Sequence, residues 1–173
     1  MADETSRTGL ARSTLAAMGE RVGGFIYGTI VALAVVVAGA KGYPHDAGHI
    51  AILVAVTAVA LWLAHVYAHG LAHSLGRDEH VSFAELRLIA RREASIVEAT
   101  VPPLAFLVAG ALGIVSTRVA VWGAFVLGLT VLAVLGLTFA RIERLGVVGT
   151  VAIVAANISL GAMFVALKLL LTH

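Results

Sequence analysis

The sequence predicts an all-α membrane protein of five spanning helices, the third with a cytoplasmic amphipathic extension. Two observations carry that expectation. Of the 173 residues, 60% are hydrophobic and 13% are charged. A soluble domain carries about a quarter charged residues, so this chain has too little polar surface to stay in water. The apolar residues also gather in runs of about 20, the length that crosses a bilayer as a helix. The chain has no cysteines, which removes disulfides and thiolate metal sites. A net charge of +2 gives no reason to expect nucleic acid as a partner. The expected partner is the lipid bilayer. Arg far outnumbers Lys in an Ala-, Val- and Gly-rich chain, a composition that suggests a GC-rich bacterial genome, and the expected location is the bacterial plasma membrane.

The first 20 residues are polar and lack a short apolar core with a cleavage site, so they read as a cytoplasmic tail rather than a signal peptide. The tail is expected to start disordered, with a short helix from Ser13. Residues 21–173 read as the membrane bundle. The first span is 21–40, and Gly42, Pro44 and Asp46 mark a loop. The second runs from about His49 to His69 and continues to Leu75, where Gly76–Glu79 ends it. Ser82 and Glu85 have capping-box spacing, which starts a helix that is amphipathic over 82–99. Phe83, Leu86, Ile89, Ala90, Ile96 and Val97 share one side, and Arg87, Arg91 and Glu98 gather on another. Glu93 is the exception on the apolar side. This helix runs into the third span, about 94–115, which contains Pro102 and Pro103. The fourth is about 119–140 and the fifth about 146–170.

Basic residues collect on the cytoplasmic side of membrane proteins. With the N-terminus inside, Arg7, Arg12, Arg21, Arg77, Arg87, Arg91, Arg92, Arg141 and Arg144 are inner, while Lys41, Arg118 and Lys168 are outer. The expected orientation is N-terminus inside and C-terminus outside. It brings Tyr27, His65, His69, Ser95 and Glu98 to the inner third of the bilayer, with Asn157 and Ser159 nearer the middle. Arg91 and Arg92 are expected at the lipid headgroups.

Polar groups inside a membrane are costly and call for an explanation. His65, His69 and His73 are spaced by four, which puts the first two on one helix face. Four readings of them stay open. They tie helices together, with His65 bonded to Tyr27 or Glu98. They form a proton or cation path, since imidazoles titrate near neutral pH. They bind a transition metal with Glu98. They ligate haem, which would need a second subunit. Glu98 lies one turn before Pro102, whose ring removes a helix hydrogen bond and bends the segment, so it can face a cavity. Gly24 and Gly28 form a small-xxx-small pair that favours close packing. Gly28, Ala32 and Val36 are candidates to line a narrow pore at an oligomer axis, or to pack. No nucleotide loop, serine triad or cofactor motif is present, and no catalytic residue is assigned.

With Arg21, Phe25 and Gly28 in place, the first span resembles that of the endosomal-lysosomal potassium channel family and its bacterial members. The family signature is R-x-x-x-F-S-D-G. His65 and His69 fall near the family's His-bearing end of helix 2, and Pro102 or Pro103 matches its proline in helix 3. The likeness covers about residues 21–110. Ile26 and Tyr27 stand where that family has Ser and Asp, and this chain has no sixth helix. The resemblance implies an oligomeric channel whose first helix lines the pore. FIYGTIVALA and LWLAHVYAH are also similar to actinobacterial integral membrane proteins, which implies no function. The expectation is a homo-oligomeric channel or transporter for protons or monovalent cations. Its flux is expected to depend on pH between about 5 and 7.5. A membrane metalloprotein using His65, His69 and Glu98, or a non-catalytic scaffold, is the alternative.

Overall fold

The computed structural model describes residues 2–75 and 82–171, and within them it is all-helical. The loop expected at Gly76–Glu79 and the side chains of His73 and Lys168 lie outside the described residues. Seven helices follow in order: α1 (Ala2–Gly42), α2 (Ala47–Leu75), α3 (Phe83–Arg92), α4 (Ser95–Glu98), α5 (Val101–Ala111), α6 (Thr117–Ile142) and α7 (Val147–Leu171). Among the described residues, three segments are long and apolar enough to cross a membrane: Gly19–Gly42, Ala47–Ala72 and Thr117–Ile142. A fourth crossing exists if Phe83–Glu98 and Val101–Ala111, bent by 55° at the break, form one span. Val147–Met163 is a shorter apolar stretch.

The backbone of the expected tail is helical and continuous with the first span. No proline interrupts it. Pro44 sets the other limit, because its ring cannot continue a helix and disfavours helical geometry just before it. Asp46 then caps α2, its Oδ1 accepting from the His49 backbone N–H at 2.9 Å. At α3 the capping box forms in full. Ser82 accepts from the Glu85 N–H, and Glu85 accepts from the Ser82 N–H.

The extension of the third span is not continuous with it. The helix breaks after Arg92 and again at Ala99–Thr100. Pro102 and Pro103 explain the second break, since they cannot donate to the carbonyls of Glu98 and Ala99. Near both breaks the backbone tightens to three-residue bonds, such as Ile96 N–H to Glu93 and Thr100 N–H to Val97. The first break precedes Ser95 and Ile96, which are buried against α1.

In lipid, apolar surface gains little by pairing, so small residues that let backbones approach carry the packing. A β-carbon at Gly128 would stand 2.7 Å from Leu33 Cδ2, and one at Gly110 would stand 2.8 Å from Ala47 Cβ. Leu33, Val36, Ile50, Val54, Leu107, Phe125 and Leu132 form the core where α1, α2, α5 and α6 meet. Helix α7 runs antiparallel to α6, with Asn157 against Gly136 and Gly161 against Leu132.

Candidate functional site

Helices α1 to α4 leave an open recess of about 680 Å³ at one end of the bundle. From α1 come Glu20, Gly23, Gly24 and Tyr27, and from α2 come His65, His69 and Ala72. Ile89 and Arg92 of α3, Glu93 at its C-terminus and Ile96 of α4 complete the wall. Three of the residues expected at a polar cluster, Tyr27, His65 and His69, therefore share one cavity.

Each imidazole is held differently. His65 Nδ1 is 3.0 Å from the Leu61 carbonyl one turn earlier. A carbonyl only accepts, so Nδ1 carries the proton and Nε2 is left for the cavity. The ring lies 5.5 Å from that of Tyr27 and 6.4 Å from that of His69. His69 Nδ1 is 2.7 Å from Glu93 Oε1. The Glu93 side chain is 17% exposed and that of His69 57%, so Glu93 is the more buried of the pair.

Glu98 is placed elsewhere. Its Oε2 accepts from Arg21 Nη2 at 3.0 Å, with both side chains at least half exposed. The expected trio of His65, His69 and Glu98 is thus not assembled, and Glu93 takes the position beside His69. Among the described residues, no three His, Asp or Glu side chains converge as a metal would require. Asn157 faces Gly136 between α6 and α7 and does not line the recess.

Gly28, Ala32 and Val36 are inside the chain. Ala32 and Val36 belong to the core, and a β-carbon at Gly28 would stand 2.5 Å from the Ile96 carbonyl oxygen. Packing within the chain fills the face expected at a shared pore.

Beyond Tyr27 and His65 the seam between α1 and α2 narrows. Gly28, Val31, Ala32, Val35, Val54, Thr57, Ala58, Leu61, Ile96 and Thr100 line a crevice too tight for a water molecule. Ile96 borders both spaces. A recess bearing titratable side chains therefore adjoins a dry crevice whose lining has hydroxyls only at Thr57 and Thr100.

Sequence reasoning missed Glu20, Arg92 and Glu93 as wall residues. Glu93 carried a signal, being a carboxylate on the apolar side of an amphipathic helix. Such a group needs a partner across the interface. Arg92, expected at the lipid headgroups, is exposed and borders the recess. No protein-family model, curated protein or solved structure matches the chain.

Proposed function

We propose that the protein passes protons or small monovalent cations across a membrane, with the recess as the inner vestibule of the path. The observation that carries this reading is that the recess with its titratable side chains adjoins the dry seam between α1 and α2, with Ile96 bordering both. Titratable side chains at the mouth gather and relay charge, and an apolar constriction holds the path shut until it is wetted. The path lies within one chain, because Gly28 and Ala32 line the seam inside it and Val36 is packed in the core.

In this reading five spans cross the bilayer: α1, α2, the bent α3–α5 unit, α6 and α7. As a straight helix, the 25-residue α7 is about 37 Å long, enough for a crossing. The N-terminus is inside, since nine basic residues then face the cytoplasm and three face outward. The Arg21, Phe25 and Gly28 likeness to the potassium channel family supports cations as cargo. The departure at Ile26 and Tyr27 favours a selectivity of this chain's own.

The test is flux by purified protein in liposomes between about pH 5 and 7.5, where imidazoles change charge. Proton or potassium movement that varies with pH and falls in His65→Ala supports the reading. Lipid vesicles that stay tight to protons, potassium and sodium throughout that range overturn it.

A further inference from the structure

We infer that the lipid-facing side of the α2–α3 pair is a binding site for an anionic phospholipid. Helix α3 is fastened to α2 by two contacts. Trp62 Nε1 donates to the Ala90 carbonyl at 2.9 Å, and Leu86 lies against Gly70. Relative to Ala90, at about 100° per residue, Ile89 and Glu93 turn about 100° and 60° one way, into the recess. Arg87 and Arg91 turn about 60° and 100° the other way, out of it. The same counting on α2 puts His65 and His69 on the recess side of Trp62 and puts Leu63 and Tyr67 on the opposite side.

That opposite side has the chemistry of a phospholipid seat. Arg87 and Arg91, one turn apart, are exposed and have no ion-pair or hydrogen-bond partner among the described residues. Tyr67 is 72% exposed and Phe83 is 82% exposed, while Trp62 sits at the helix junction. Aromatic rings and arginines mark the headgroup level of a bilayer, where guanidinium forks bind phosphate in two-point contact. Two such cations one turn apart select a lipid with net negative charge over a zwitterionic one. The occupant is therefore an anionic phospholipid, its phosphate on Arg87 and Arg91 and its chains beside Leu63. Because α3 is also a wall of the recess, occupancy steadies that wall. This consequence rests on the transport reading, but the lipid site does not.

Brominated lipids quench nearby tryptophan, and Trp122→Phe leaves Trp62 as the single reporter. In vesicles with equal mole fractions of brominated phosphatidylglycerol or brominated phosphatidylcholine, the glycerol lipid should quench Trp62 more deeply. The excess should vanish in R87Q/R91Q and survive in R141Q/R144Q, while quenching by the choline lipid stays unchanged in both. If the first double variant does not fold, R87Q and R91Q singly read the same excess, and each should lower it. Equal quenching by the two lipids, or an excess that survives loss of both arginines, overturns the site. So does an excess that falls equally in R141Q/R144Q.

Discussion

Glu93 Oε1 lies 2.7 Å from His69 Nδ1, tying the C-terminal end of α3 to the face of α2 that lines the recess. The two residues come from different helices, and Glu93 is the less exposed partner. A double-mutant cycle between Glu93→Gln and His69→Gln should show a coupling of about 0.5–1 kcal/mol in thermal unfolding, as for a partly exposed interhelical pair. Glu98→Gln combined with His69→Gln should be additive, since Glu98 is held by Arg21. Coupling to Glu98 rather than Glu93 would contradict the assignment.

Gly28 and Gly23 lie on one helix and should respond oppositely to alanine. At Gly28 a β-carbon would stand 2.5 Å from the Ile96 backbone carbonyl and 3.0 Å from Ala99 Cβ. Neither atom is the end of a flexible side chain, so Gly28→Ala should cost about 1–3 kcal/mol. At Gly23 nothing stands within 4 Å, and Gly23→Ala should be neutral or gain up to about 1 kcal/mol in helix propensity. Thermal unfolding in detergent reads both.

Much of this architecture is legible in sequence because bilayers impose simple rules. Apolar run length gave α1, α2 and α6, and the Ser82–Glu85 pair gave the start of α3. The Pro102–Pro103 pair signalled a bend, but the clean break after Arg92 depends on tertiary packing of Ser95 and Ile96 against α1. The shared position of Tyr27, His65 and His69 followed from helix direction and spacing. Choosing Glu93 over Glu98 did not. At about 100° per residue the five-residue offset rotates one carboxylate well away from the other, and two helix breaks between them remove any fixed phase. The glycine face of α1 reads the same whether it meets a pore or a neighbouring helix, and only the position of α4 decides it.

A chain without cysteines suits accessibility labelling. Ala72→Cys, at the recess wall, should react with a charged thiol reagent added from one side of a sealed vesicle only. Thr57→Cys, in the dry seam, should not react from either side while the path is closed. Rapid labelling of Thr57→Cys at rest would show that the constriction is wet.

The turn between α1 and α2 carries its own acid sensitivity. The His49 backbone N–H and then its ring bond Asp46 and hold its carboxyl below the usual carboxylate range. Because the folded value is depressed, the contribution to stability is full above the ordinary value and is lost as pH falls through the lowered one, below about pH 4. Asp46→Ala should therefore speed hydrogen exchange at the His49 amide at neutral pH, with the ratio to wild type narrowing in acid. A ratio independent of pH would contradict this.

The most direct test of the vestibule is proton, potassium and sodium flux in liposomes, with wild type, Glu93→Gln and Glu98→Gln compared at matched protein density. The expected result is pH-dependent flux in wild type, for protons a fall of about a hundredfold or more in Glu93→Gln, in the range of a lost proton-transfer group, and near-wild-type flux in Glu98→Gln. Absence of flux in wild type, or equal losses in the two variants, would contradict a path entered through the His69–Glu93 recess.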